Sequence, residues 1–217
     1  MRIRLFLALL LAVLAASALS QHGTQPLHQH FDDAGRWSRV FDDPSRDAWQ
    51  KPAEVIRALE LAPGASVADI GAGTGYFSVP LARAVPQGRV FAVDVAPSMV
   101  QHLEARARRE KLANLVAHQA HADDPQLPQP VDLVILVDTY HHIGAREAYF
   151  GKLRSSLTAT GRLAIIDFRL DSPVGPRRGR VAPDTVKAEL ARAGYRLAAE
   201  HDFLPYQYFL VFAPAGG

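Results

Sequence analysis

The stretch Val67-Ala68-Asp69-Ile70-Gly71-Ala72-Gly73-Thr74-Gly75-Tyr76-Phe77 decides the fold. A short apolar run carrying one acid stops at three glycines placed at every second position, and a helical pattern follows at once. Glycine serves where a backbone turns sharply and where a ligand lies directly on it, because a β-carbon would fill that space. A dinucleotide loop would read G-x-G-x-x-G. Here position 76 is Tyr, the spacing is G-x-G-x-G, and Asp69 stands two residues before the first glycine. Both differences argue against a bound pyrophosphate.

Outward from this loop, apolar strand patterns alternate with helical ones. Upstream, Ala53, Val55, Ile56, Leu59 and Leu61 lie at helical spacing between Pro52 and the stop Pro63-Gly64. Downstream, the pattern predicts strands over 66–70, 89–95, 115–121, 131–138 and 161–168, with helices over 76–85, 98–112, 145–157 and 184–193. VADI, VFAVDV, DLVILVD and LAIIDF are apolar on both faces, as central parallel strands covered by helices must be. Two more strands, 196–203 and 207–212, are joined by only Leu204-Pro205-Tyr206. That link is too short for a helical crossover, so they should pair antiparallel at one edge. The expected fold is α/β, a Rossmann-like doubly wound sheet of seven strands, mostly parallel with an antiparallel last strand.

Residues 1–20 stand apart: Arg2 and Arg4, an apolar run from Leu5 to Ala16, then small residues. This is the plan of a secretory signal peptide, too short to remain as a membrane span. The expected division is 1–20 signal peptide, 21–51 an N-terminal lid or linker, and 52–217 the main domain. Removing the leader leaves 22 basic against 22 acidic side chains, a balance that argues against nucleic acid as a partner. The absence of cysteine removes disulfides, thiolate nucleophiles and zinc–thiolate sites. His28 and His30 form an H-x-H pair without a companion carboxylate, so no metal is assigned.

VADIGAGTGYFSVPLA, VFAVDV ending in Asp94, VDLVILVDTYHHI and TATGRLAIIDF together resemble the motifs of class I S-adenosylmethionine-dependent methyltransferases. They are most like the small-molecule branch that includes the quinone-biosynthesis enzymes, over about Pro52 to Phe212. The resemblance implies S-adenosyl-L-methionine as cofactor. Gly71, Gly73 and Gly75 would pack against its methionine and ribose parts, Asp69 would hold its ammonium, and Asp94 would accept from both ribose hydroxyls. Asp123, in the loop Ala120-His121-Ala122-Asp123-Asp124, is expected at the adenine amino group, and Asp138 is placed among the cofactor residues.

The expected reaction is methyl transfer to a small molecule. An oxygen or acidic carbon acceptor must lose a proton, and imidazole titrates near the working pH. Tyr140, His141 and His142 follow the fourth strand, at the carboxyl edge where such sheets bind ligands. Strand alternation turns Tyr140 and one histidine toward the cleft, and either histidine could equally support the cofactor. Asp167 ends the fifth strand as a further candidate. Phe41 to Pro52 reads as an ordered lid with Arg46 or Gln50 reaching the methionine end, and Arg177, Arg178 and Arg180 form a basic loop that could admit an anion. The alternatives are a catalytically silent S-adenosylmethionine-binding module and a nicotinamide-dependent oxidoreductase. The leader implies a periplasmic or secreted protein, which conflicts with a cofactor made in the cytoplasm.

Overall fold

The structure, a computed structural model, describes residues 33–216. The leader 1–20 and the histidines at 22, 28 and 30 lie outside the described residues. Seven strands form one sheet in the order β3-β2-β1-β4-β5-β7-β6: β1 (Ser66–Ile70), β2 (Arg89–Asp94), β3 (Leu115–Gln119), β4 (Val131–Val137), β5 (Leu157–Phe168), β6 (Tyr195–His201) and β7 (Gln207–Pro214). The first five run parallel, and β7 inserts antiparallel between β5 and β6. The doubly wound α/β fold is as the alternation and the three-residue link require. The last two strands pair antiparallel at one side of the sheet, with β6 at the edge.

Both sheet faces are covered because the inner strands are apolar at successive positions. Val67, Leu133 and Ile135 pack under α3 (Pro52–Ala58), α4 (Ser78–Ala84) and α5 (Pro97–Arg109). Ala68, Val134, Leu136 and Leu163 pack under α6 (Arg146–Leu153) and α7 (Pro183–Arg192). Truncating one such buried leucine to alanine costs about 2–5 kcal/mol. Expected and observed elements differ chiefly at their ends. The second expected helix begins at Ser78 because the loop continues through Tyr76, and β5 starts at Leu157, four residues early, with a register irregularity against β4 between Val131 and Leu133.

From Asp33 to α3 the chain is built of short helical elements. Asp33 caps α1 (Ala34–Phe41) by accepting from Arg36 N at 2.9 Å, and a 3-10 turn at Pro44–Arg46 leads into α2 (Asp47–Gln50). No helix among the described residues is long and apolar enough to cross a membrane.

Candidate active site

β1 pairs with β2 on one side and β4 on the other, so the connections leave this point in opposite directions and open a crevice at the strands' carboxyl ends. The glycine loop floors it. Gly71, Gly73 and Gly75 have φ of +75°, +55° and +90°, conformations that L side chains rarely adopt. Their reasons for being glycine differ. A β-carbon on Gly71 would lie 2.5 Å from Thr139 Cγ2, because the loops after β1 and β4 touch across the crevice. One on Gly75 would lie 2.9 Å from Leu103 of α5, whereas one on Gly73 would meet nothing closer than Phe41 at 3.4 Å. Gly73 presents bare backbone to the open cleft.

Two acids stand at the strand ends. Asp69, 3% exposed, accepts from Ser78 Oγ at 2.5 Å. Its burial, set against that hydrogen bond and reinforced by the charge of Asp94, pushes its pKa up to about 7. Asp94 accepts from Gly73 N and Ala96 N, each at 2.9 Å, which ties β2 to the loop; burial holds it above the ordinary carboxylate range despite those bonds. A carboxylate has about four lone-pair sites, so capacity for hydroxyl donors remains.

The segment before α3 closes over the loop. Asp42 accepts from Arg106 Nη1 at 2.7 Å and from Thr74 Oγ1 at 3.0 Å. Arg46 lies over the Tyr76 ring at 4.4 Å, bonds Gln50 Oε1 at 2.7 Å and the Phe41 carbonyl, and approaches Asp138 at 3.7 Å. Gln50 donates to Asp138 at 2.9 Å. Arg46 and Gln50 thus both end on Asp138, whose other oxygen accepts from Gln207 at 2.6 Å. Burial, then the charge of Asp167, raises Asp138 above its ordinary value. The partly covered cleft measures about 650 Å³ and is lined by Gly71 to Thr74 of the glycine loop but not Gly75, and by Asp69, Asp94, Ala122, Asp138, His121, His141, His142 and lid aromatics.

Asp138 leaves β4 with φ +54°, and a 3-10 turn covers Tyr140–His142. Three residues per turn, not two, then set the side-chain directions. This corrects the expectation for Tyr140. It is fully buried on the opposite side, stacked on Phe150 at 5.2 Å, and donates to Glu189 at 2.6 Å, which Arg146 also holds. Both His141 and His142 line the cleft instead. His141 Nδ1 lies 2.9 and 3.0 Å from the two oxygens of Asp167, which is 1% exposed. Burial lowers the His141 imidazole, but the bond and charge of Asp167, with Asp138 behind, outweigh it and leave the pKa raised.

Two other expectations are corrected. Asp123 is exposed at the tip of a tight loop closed by the His121–Asp124 bridge and does not line the cleft; His121 and Ala122 do. Arg180 is spent on the carbonyls of Leu170, Ser172, Val174 and Pro176, so it braces its own loop. Sequence reasoning also missed Gln207, a buried glutamine at the start of β7, whose polarity at the head of the apolar run Tyr208 to Phe212 was the available signal.

A family model described as a methyltransferase domain matches residues 61–197. A malonyl-[acyl-carrier protein] O-methyltransferase from Geobacter sulfurreducens is 30% identical over 66% of this chain and 61% of that protein. The chain spans 29–45% of the length of three other curated relatives. Among solved structures, a SAM-dependent methyltransferase from Aquifex aeolicus superposes with TM-score 0.76 at 25% identity, covering 83% of this chain and 97% of that one. A magnesium protoporphyrin IX methyltransferase from Synechocystis PCC 6803 with bound SAH shares the fold at TM-score 0.67 and 21% identity, covering 85% and 96%. With its glycine loop, its seven-stranded sheet with β7 reversed and the family match over most of both, the chain belongs to the methyltransferase-domain family of S-adenosylmethionine-dependent enzymes.

Proposed function

We propose that this protein transfers the methyl group of S-adenosylmethionine to a small-molecule acceptor held in the covered cleft. The observation that carries this reading is the lid. Residues 34–50 are tied to both sides of the glycine loop, to Thr74 and Arg106 through Asp42 and to Asp138 through Gln50, and partly cover a cleft of about 650 Å³. That volume suits a small ligand pair. In-line displacement needs alignment and exclusion of water, which an aromatic cover over a rigid loop supplies.

The residues present fit the cofactor. Gly73 offers a cradle that a β-carbon would fill, Asp69 can hold an ammonium, and Asp94 has lone pairs left for ribose hydroxyls. Met99 and Ala122 supply apolar seating for a base. When bound, the cofactor brings an activated methyl group on a sulfonium; the chain's own residues bind, orient and exclude water. The neutral balance of the chain after residue 20 and the likeness of its motifs to the quinone-biosynthesis branch support a small acceptor over nucleic acid. Calorimetry with S-adenosylmethionine and its demethylated product tests the reading: binding by the full chain, lost in Asp94→Ala, is expected. No binding at millimolar ligand, or binding indifferent to that substitution, defeats it.

We further infer export, periplasmic or secreted, from the leader of residues 1–20 alone. Mass spectrometry of the native amino terminus after fractionation tests it. A cytosolic protein retaining those residues refutes it.

A further inference from the structure

We propose that the mouth of the cleft, flanked by α1 and by the loop after β5, is a docking surface for an anionic lipid bilayer. Docking is measured without cofactor or turnover, so it stands or falls apart from the methyltransferase reading. Only its consequence, that an acceptor would enter from the lipid side, rests on that reading.

Five large apolar side chains are exposed among the described residues: Val40, Val95, Val116, Leu170 and Leu197. Val116 and Leu197 lie on the outer strands β3 and β6. The three most exposed, Leu170 at 61% and Val40 and Val95 at 53% each, belong to the carboxyl edge of the sheet and its lid. Val95 directly follows β2, Leu170 lies two residues beyond β5, and Val40 is on α1. Val40 and Val95 line the cleft, as do Gly175 and Pro176 of the loop that carries Leu170. Exposed apolar residues scattered singly need no explanation, but three gathered round one opening mark a contact face.

The charges on the same rim say what the face meets. Trp37, Val40 and Phe41 of α1 are all unburied, Arg36 and Arg39 are exposed among them, and the helix carries no acid. That is the make-up of a helix lying in a membrane interface. The acids on either side of it, Asp33 and Asp43, are turned to backbone N–H groups as caps. Across the cleft the loop carries Arg169, Arg177 and Arg178 against Asp171. None of these five arginines forms an ion pair among the described residues, whereas Arg46, Arg106, Arg146 and Arg192 each hold a carboxylate.

Unpaired guanidiniums on both flanks of an apolar opening match a surface that is negative over a wide area with hydrocarbon beneath it. Arginine stems lie along apolar neighbours while their heads reach phosphates, and each basic side chain near an anionic membrane is worth about fivefold in partitioning. A purely acidic partner would answer the arginines and leave Leu170, Val40 and Val95 against polar groups. Upstream, the apolar run from Leu5 to Ala16 suits entry into a bilayer, and the chain that follows it arrives at α1, on this same rim.

Trp37 and Trp49 are the chain's two tryptophans, and both belong to the lid, so they report docking directly. The full chain is mixed with vesicles of phosphatidylcholine, alone or with phosphatidylglycerol, whose acyl chains are brominated to quench tryptophan. Quenching is expected on the anionic vesicles, with affinity at least about tenfold above the neutral ones at low salt and falling as salt is raised. Arg36→Gln combined with Arg39→Gln should weaken it at least about tenfold and flatten the salt dependence. Leu170→Ser should weaken it about tenfold and leave the salt dependence unchanged. None of these side chains lines the cleft, so calorimetric binding of S-adenosylmethionine should be the same in wild type and variants. Sedimentation with vesicles but no quenching, or quenching equal in wild type and variants, assigns the contact to another part of the chain and overturns the proposal. Equal quenching on neutral vesicles overturns it as well, and tighter binding to polyglutamate than to anionic vesicles puts an acidic protein in its place. Quenching as expected in a chain that binds no S-adenosylmethionine leaves the docking surface standing while the methyltransferase reading falls.

Discussion

Gln50 of α2 and Asp138 at the end of β4, 88 positions apart in sequence, are joined by a 2.9 Å hydrogen bond from Nε2 to Oδ2. Gln50 is fully buried, so the bond is shielded from water. It latches the lid to the crevice opposite the glycine loop, and Arg46 adds its charge at 3.7 Å.

Breaking this latch should loosen the lid without unfolding the sheet. Gln50→Ala removes one partner of a buried carboxyl, a loss of about 1–3 kcal/mol. Hydrogen exchange should quicken across residues 34–50 and leave β1 and β4 protected. Gln50→Glu should loosen the lid further near neutral pH and recover in acid, when one of the two carboxyls is protonated. Unchanged exchange in both variants would show that the lid is held elsewhere.

Gly71 and Gly73 should separate stability from binding. Both have positive φ, so alanine strains either by about 1–3 kcal/mol. Gly71→Ala also drives a methyl into Thr139, and its melting temperature should fall by more than that of Gly73→Ala. In a domain of this size each kcal/mol is worth about 2–4 °C. Gly73→Ala should instead lose S-adenosylmethionine binding while melting closer to wild type. Thermal scans and calorimetry on the two variants decide it.

The raised pKa of Asp69, about 7, has opposite signs for folding and for cation binding. In the ligand-free fold the carboxyl stays protonated where the unfolded chain, at about 3.9, is ionised. Its contribution to stability is therefore full below about pH 4 and is lost as pH rises toward 7. Holding an ammonium requires the ionised form, so affinity for S-adenosylmethionine should climb by up to about tenfold per pH unit through that window and level off above it. Asp69→Asn should flatten the affinity profile. A profile of equal slope in wild type and variant would assign the titration to another group.

Tyr140→Phe should act on stability alone. The hydroxyl donates to Glu189 beneath the sheet and lies outside the cleft. A loss of about 1.5–3 kcal/mol in denaturant titration is expected for a hydrogen bond to a charged group. Cofactor affinity and the pH dependence of turnover should be unchanged, and a shifted pH profile would return Tyr140 to the chemistry.

The sequence by itself determined the layer order and the place of the cleft. Apolar strands such as VADI and DLVILVD must be covered on both faces, three alternate glycines after β1 leave backbone open to a ligand, and a three-residue link between β6 and β7 forbids a parallel crossover. These are local constraints, readable within a dozen residues. Only the tertiary structure decided which side chains meet. The register Val137↔Ile166 places Asp138 beside Asp167, and a 3-10 turn where alternation was expected sends Tyr140 to the core and His141 to the cleft. Asp123 was lost to a tight loop, and Gln50 and Gln207 gained roles from partners 88 and 69 positions away. A side chain's direction at the end of a strand depends on the backbone's exit angle and on neighbours brought in by strand pairing, and neither is encoded in the periodicity of the segment that carries it.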